Sequence, residues 1–196
     1  AYVASYSGMV SVGNADYWWL RSPGSDDLLA VFVPASGGVD SSGFPVAHPG
    51  HAVRPAFNLN LDAVLFTSAA VGGKSSGAVG ADALKFVSNY SGSEWKLTLQ
   101  DSSRRFSADV NGQTSASVPA GGSVQITYSG AQTGENEYVS VLLCDGNDNV
   151  LYYGNIAQNS TSGTATLNIP SGLAEENYTL KVFSEQCNGD KQTDYA

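Results

Sequence analysis

The chain has 196 residues and a mass of 20.3 kDa, enough for one large domain or two small ones. Charged residues make up 14% of it, well below the usual level, and small polar residues take their place, as is typical of extracellular β-proteins. A net charge of -9 would repel phosphate groups, which excludes electrostatic binding to nucleic acid. No apolar run approaches the about 20 residues of a membrane span, so we expect no direct membrane insertion.

The first of three regions, 1–61, is punctuated by Gly and Pro at short intervals, which predicts short strands and loops. Region 62–106 begins with a Gly/Ser/Ala-rich stretch that predicts a linker. Its segment Glu94 to Leu99 alternates, which predicts a β-hairpin with Arg104 to Phe106 across a polar turn and a shared face for Trp95, Leu97 and Leu99.

Region 107–196 has the pattern of an Ig-like β-sandwich. Polar turns such as Asp145 to Asn149 separate the predicted strands, and this turn is expected to be a hairpin connection and not a calcium loop. The strands are expected near Val118 and at Ser123 to Tyr128, Tyr138 to Cys144, Val150 to Ile156, Thr164 to Ile169 and Tyr178 to Phe183.

The end of this region resembles bacterial Ig-like modules, because IPSGLAEENYTLKV is similar to the corner before their penultimate strand. The resemblance implies that the Tyr178 hydroxyl bonds back across the turn. A last strand is missing from the pattern, so either the chain is a fragment or another segment closes the edge; strand-mediated self-association is a further expectation.

Two cysteines, Cys144 and Cys187, are too few for a disulfide framework. They could form one bridge in an oxidising compartment, or remain two free thiols.

The motifs YWWLRSPG at Tyr17 to Gly24 and VRPAFNLNL at Val53 to Leu61 are the most specific in the chain. Together they resemble a domain of gut-bacterial surface proteins, and they are similar to the C-terminal half of a C-type-lectin-like fold. The overall expectation is a mostly β protein: a partial C-type-lectin-like module joined to an Ig-like β-sandwich.

Relatives of that fold that are diversified by retroelements carry a variable stretch on a frame of small and apolar residues. Adenine randomisation of Asn codons that end in a pyrimidine cannot produce Lys, Glu, Gln, Met or Trp, and the segment from Ser25 to Ala52 contains none of these five. The implied frame is Ala30, Val33, Gly37, Val39, Gly43, Val46 and Val53.

The display positions between the frame residues are the predicted ligand-binding surface. Leu28, Leu29, Phe32 and Phe44 are apolar, and an exposed patch of these residues would suit a contact surface. Burial of the same four residues is the alternative. The predicted site residues are Ser25, Asp26, Asp27, Leu28, Leu29, Phe32, Pro34, Ser36, Asp40, Ser42, Phe44, His48 and His51.

Other chemistry is weakly indicated. His48-Pro49-Gly50-His51 with an Asp could hold zinc, but Pro-Gly places the pair in a turn, so loop histidines are expected, with no metal and no cofactor. Of Trp18 and Trp19, at least one should be buried. Arg21 and Arg54 could clamp a carboxylate or tie loop carbonyls together.

We expect no enzyme. The formylglycine-generating enzymes share the lectin-like fold, but their chemistry uses thiols, and the first 143 residues contain no cysteine. The leading hypothesis is a non-catalytic binding protein at the cell or phage surface, with a protein or glycan ligand. The alternatives are a structural module of an adhesin, pilus or phage assembly, and, ranked lower, a formylglycine-generating-like or hydrolytic enzyme.

Overall fold

The structure, a computed structural model, describes residues 17–48, 51–53, 58–74, 78–87, 89–92 and 94–196. The chain divides into two compact units, 1–59 and 60–196. The described residues form β-strands and one short 3-10 helix, which confirms the mostly β prediction. Among them, no helix has both the length and the apolar character to cross a membrane.

The first unit contains a four-stranded sheet of order β3-β2-β1-β4. Strand β4 runs parallel to β1, and the other neighbours are antiparallel. The glycine pair Gly24 and Gly43 allows close approach of the two chain segments, because a Cβ on either residue would overlap the other segment. The strands are β1 Trp18–Pro23, β2 Leu29–Val33, β3 Asp40–Pro45 and β4 Ala52–Val53.

The second unit opens with the 3-10 helix Leu61–Ala63 and pairs two sheets. A seven-stranded sheet has the order β5-β7-β14-β13-β10-β11-β6, and a three-stranded sheet has the order β12-β9-β8. The strands are β5 Val64–Ala69, β6 Lys85–Phe86, β7 Trp95–Leu99, β8 Ser107–Val110, β9 Ser123–Ser129, β10 Glu137–Cys144, β11 Val150–Gln158, β12 Ser162–Asn168, β13 Thr179–Gln186 and β14 Asp194–Tyr195.

Both faces of β10 are buried. Val139 and Val141 pack with Ile126 and Leu167 of the three-stranded sheet and form the main core. The side chains on the opposite face of β10 join a second cluster that contains Leu142, Cys144, Phe66, Tyr153 and Phe183. Alternate residues of one strand therefore supply two cores.

The predicted strands of the Ig-like region are confirmed from β9 to β13, but Val118 lies outside any strand and packs against the main core as a loop residue. The Tyr178 hydroxyl donates to the Ala174 carbonyl at 3.3 Å, as expected of the corner. Asp145 accepts from the backbone N–H groups of Asn147 and Asn149, both at 2.9 Å, and forms the expected hairpin turn.

Region 62–106 differs from the prediction. It is not a linker with its own hairpin, because β5, β6 and β7 join the seven-stranded sheet. Strand β7 pairs with β5 and β14, whereas the residues after the turn lead into β8 of the other sheet. The predicted alternation between the two faces of β7 is confirmed. The more deeply buried face, however, carries Lys96 and Thr98.

The edge expected to be open is paired at one end within the described residues. Strand β14 pairs with β13 through Gln186 and Tyr195, and with β7 through Asp194 and Thr98. This is the alternative in which another segment closes the sheet. On this side of β13, the pairing with the described strands is made by Gln186 alone, and strand-mediated self-association stays a prediction.

The cysteines lie at opposite ends of the β10/β13 pair, and both are free thiols. Cys144 is opposite Thr179, where β13 begins, and Cys187 follows the last residue of β13. At about 3.3 Å per residue the separation is roughly 25 Å, too far for a disulfide.

Replacing Gly130 with Ala should lower the free energy of unfolding of the second unit by about 1–3 kcal/mol. Gly130 has a φ of +76°, and a Cβ there would overlap the carbonyl oxygen of Arg105. Urea unfolding measures the loss. Gly172→Ala is the control, because its Cβ would have no neighbour within 4 Å, and equal losses in the two variants would contradict the steric argument.

Candidate functional site

One face of the first unit's sheet gathers aromatic side chains. Trp19 is opposite Phe32 in the β1/β2 register, and Asp40 of β3 is opposite Phe32 on its other side. Paired residues of neighbouring strands point to the same face, so these three side chains lie next to one another. Phe44 joins them through a contact with the Phe32 ring at 5.8 Å between centroids.

His51 is at the centre of this group. Its imidazole stacks on Trp19 with ring centroids 4.1 Å apart and on Phe44 at 5.1 Å, while the Phe32 ring meets it edge-on at 5.1 Å. Tyr17 and His48 complete the set at 5.3 and 5.4 Å. We call these six residues the aromatic cluster.

The His51 imidazole is held as an apolar ring. Neither of its ring nitrogens has a hydrogen-bond partner among the residues that the structure describes. Desolvation, with a smaller effect from the neighbouring His48, lowers the pKa of His51 below its ordinary value of 6.5. The neutral imidazole is the form that suits its stacking between two rings.

Lowering the pH from 7 to 5 should destabilise the first unit. Because the folded pKa of His51 is depressed, the unfolded chain takes up the proton first, so stability present above about pH 6.5 falls as the pH drops toward the folded pKa. Urea unfolding followed by tryptophan fluorescence at both pH values measures this effect. His51→Phe should reduce the loss, and an unchanged loss in that variant would contradict the assignment.

The predicted site residues are mostly at the surface. Leu29, Pro34, Asp40 and His51 are half-buried. Those that are exposed are Ser25, Asp26, Asp27, Leu28, Ser36, Ser42, Phe44 and His48.

Hydrogen bonds hold β3 and the turn after β1 in place beside the cluster. The Ser25 hydroxyl donates to the Ser42 carbonyl at 3.0 Å, which ties that turn to β3. The Asp40 carboxylate accepts from the Ser42 hydroxyl and from its backbone N–H, and these bonds lower the pKa of Asp40. Asp40 therefore presents an ionised carboxylate next to aromatic rings.

The burial of Phe32 contradicts its prediction as a display position. Phe32 was expected to be exposed, but it is 7% exposed because β2 is an inner strand and the rings of Trp19, Phe44 and His51 surround it. The frame is also wrong in part, since Val39 and Val46 are 60% and 57% exposed. The frame residue Val33 is buried as expected.

Among the residues that the structure describes, the remaining sequence candidates do not form a set of ligands. Arg21 is exposed, and Arg54 lies outside the described residues, as do Pro49 and Gly50 between the histidines. The rings of His48 and His51 meet at 90°, each against the Phe44 ring, so they pack as aromatic groups. Trp18 and Trp19 are both half-buried.

The second unit holds a site that the sequence analysis missed. Lys74, Lys96, Glu185 and Asp194 meet on the face of the seven-stranded sheet that carries Tyr153, and their side chains are at most 6% exposed. We call these four residues the buried charge cluster. In the sequence, the local signal for this cluster was Lys96 on the polar face of β7. The alternation of that strand suggested that this face would be exposed.

A metal site is the other interpretation of this part of the second unit. The potential ligand atoms of Glu185, Cys187 and Asp194 all lie within 4.8 Å of one another. Lys74 contacts both carboxylates, so their charge is already compensated by a cation. Burial and the Glu185 charge raise the pKa of the Cys187 thiol to about 12, which keeps its sulfur protonated. This donor set does not favour a metal ion.

Comparison with known families supports the fold of the second unit. Residues 111–196, which contain β9 to β14, match the Kre9/KNH-like N-terminal Ig-like domain, so the C-terminal part of the chain is Ig-like. Residues 2–61 match a domain of unknown function, DUF6273. No curated protein and no solved structure matches the chain.

Proposed function

We propose that this is a non-catalytic, surface-displayed binding protein whose first unit binds a glycan through the aromatic cluster. The Ig-like unit serves as a stalk or spacer. In this proposal the first unit is a partial C-type-lectin-like module on a cell or phage surface, and the segment around Ser25 to Ala52 is the diversified one.

The observation that carries the proposal is the combination of exposed rings with an ionised carboxylate on one face. Tyr17 and Phe44 are exposed, although both contact the buried interior of the cluster. Asp40 lies opposite Phe32 in the register. Aromatic surface with a few fixed polar groups is the usual composition of a small-ligand site, and a sugar ring offers both apolar C–H groups and hydroxyl donors to it.

Phe44→Ser tests the proposal. The intact chain is applied to an array of immobilised bacterial and animal glycans, and the apparent affinity for every bound glycan should fall about tenfold or more in the variant, as for the loss of an anchoring aromatic residue. Phe86→Ser is the matched control, because Phe86 is an exposed phenylalanine of the second unit. Loss in both variants, or no binding by the unmodified chain, would contradict the proposal.

A protein ligand is the second candidate, because exposed aliphatic residues flank the cluster. The N–H of Val46 donates to the Leu28 carbonyl at 3.1 Å, and both side chains are exposed. Apolar surface of this kind is common at protein contacts. Leu28→Ser together with Val46→Ser should leave glycan binding intact if the ligand is a glycan, and should remove binding if these residues contact a protein.

A further inference from the structure

The buried charge cluster brings an amine within reaction distance of a carboxyl group. Lys74 Nζ is 2.7 Å from Asp194 Oδ2 and also contacts Glu185 Oε1. The Lys74 side chain is 5% exposed, and those of Glu185 and Asp194 are 0% exposed. Lys74 follows β5 and Asp194 begins β14, so this contact joins two segments far apart in the sequence.

The surroundings of Lys74 are dry and aromatic. Its Nζ lies 5.8 Å from the centre of the Phe66 ring and 5.2 Å from that of Tyr153. Where water is excluded, it cannot hydrolyse an amide bond. A dry site also disfavours separate charges, such as the Lys74 ammonium and the carboxylates that it contacts. A condensation that replaces an ammonium and a carboxylate by a neutral amide is therefore favoured in this place.

Glu185 has the position of a proton carrier. Its Oε1 contacts Lys74 Nζ, and its Oε2 accepts a hydrogen bond from the Tyr153 hydroxyl at 2.8 Å. Tyr153 is itself fixed by the Asn155 side-chain amide, which donates to its oxygen at 3.0 Å. One carboxylate oxygen is thus held in place while the other faces the amine.

The carboxyl group of Asp194 is polarised from two sides. The backbone N–H of Asn188 donates to Oδ1 at 2.7 Å, and Lys96 Nζ is 2.9 Å from Oδ2. Donors aimed at a carboxyl oxygen stabilise the negative charge that develops there when a nucleophile attacks the carbon.

We propose that the side chains of Lys74 and Asp194 join in an intramolecular amide bond, with Glu185 carrying the proton. The reaction needs no added reagent. It would fasten the segment after β5 to β14 and enclose residues 74–194, most of the second unit, in one covalent ring.

The condensation moves two protons from Lys74 Nζ to Asp194 Oδ2 and releases one molecule of water. One proton of the Lys74 ammonium passes to the Asp194 carboxylate, which gives a neutral amine and a carboxylic acid. The Nζ lone pair then attacks Cγ, and the C=O electron pair moves onto Oδ1, where the Asn188 N–H donates. Glu185 accepts a second proton from Nζ and returns it to the departing Oδ2 hydroxyl. Water leaves with the Cγ–Oδ2 bonding electrons, the carbonyl re-forms, and Glu185 is regenerated.

Lys96 approaches the same carboxyl oxygen but is placed differently. Its Nζ donates to the Gly189 carbonyl at 2.6 Å, and the carboxylate that it contacts is that of Asp194 itself. The proton carrier Glu185 contacts Lys74. The geometry therefore makes Lys74 the nucleophile and Lys96 the electrostatic support.

Mass spectrometry of the intact, denatured chain tests the bond. The measured mass should be lower than the sequence mass by one water molecule, and fragmentation should yield a branched peptide that links Lys74 to Asp194. Asp194→Asn is the informative variant, because it would lose ammonia instead and reach the same final mass as the unmodified chain. Lys96→Arg should retain the link, whereas Lys74→Arg and Glu185→Gln should show their full sequence masses while their circular dichroism remains that of the folded protein.

Three results would overturn the proposal. The first is a full sequence mass for the folded, unmodified chain. The second is a loss of water that fragmentation assigns to a single residue or to Lys96. The third is a link that still forms in Glu185→Gln. Since each readout is a covalent mass, failure here is independent of the glycan-binding experiment.

Discussion

Replacing Phe32 with Ala should lower the free energy of unfolding of the first unit by about 3–5 kcal/mol, the cost of removing a buried phenylalanine ring. The ring packs against Trp19 at 6.5 Å, Phe44 at 5.8 Å and His51 at 5.1 Å between centroids. Its loss leaves a cavity inside the aromatic cluster. Urea unfolding followed by tryptophan fluorescence measures the change, since Trp18 and Trp19 both lie in this unit.

Leu28→Ala is the matched control for this experiment. Leu28 belongs to the same predicted surface but is 70% exposed, so its truncation should change the stability by no more than about 0.5 kcal/mol. If Phe32→Ala were equally mild, Phe32 would be a surface residue, and its assignment as a display position would be restored.

Replacing Arg104 with Met should lower the free energy of unfolding of the second unit by about 3–5 kcal/mol, because it leaves a buried carboxylate without its partner. The guanidinium binds Glu137 through two hydrogen bonds, of 2.7 and 3.1 Å, and also donates to the Ser184 hydroxyl at 3.3 Å. Arg104 thereby connects the loop before β8 to β10 and β13 of the seven-stranded sheet. Chemical denaturation followed by circular dichroism measures the loss.

Two further variants separate the burial of charge from the loss of the arginine side chain. Arg104→Met combined with Glu137→Leu should recover most of the stability, because no charge is left unpaired. Lys181→Met breaks an exposed pair with Asp148 of the same 2.7 Å length and should cost less than about 1 kcal/mol. A double variant no more stable than Arg104→Met would show that the unpaired carboxylate is not the cause.

The Ig-like strands could be predicted because their alternation is the direct result of packing. In β9, Val124, Ile126 and Tyr128 are buried, and the residues between them are exposed. A strand with one face on a core and one in solvent has this period of two in its sequence. The turn at Asp145 and the corner at Tyr178 were predictable for a similar reason, since their hydrogen bonds join residues close together in the chain.

The surface of the first unit was harder to predict. The spacing of the valines suggested a buried frame, but Val39 and Val46 lie next to the ends of β3 and are exposed. Phe32 is buried for the opposite reason, because β2 lies between β1 and β3 and neighbours on both sides cover it. A strand's place in its sheet decides the burial of its residues, and that place depends on pairings that local sequence does not encode.

The buried charge cluster could not be predicted at all. Lys74 and Asp194 are 120 positions apart, and each stands in a polar stretch typical of loops. Their meeting requires β14 to insert between β13 and β7, a pairing of two-residue length with almost no sequence signal.

That insertion of β14 also brings the end of β14 close to the start of β5. Val64 and Tyr195 are both paired with Leu99, one on each side of β7, so their backbones are about 10 Å apart at the same end of these three strands. A linker of a few residues is long enough to join them. The unit is consequently suited to circular permutation, with new termini in the exposed turn 145–149, and to grafting into a surface loop of an unrelated host protein with a low loop-closure cost.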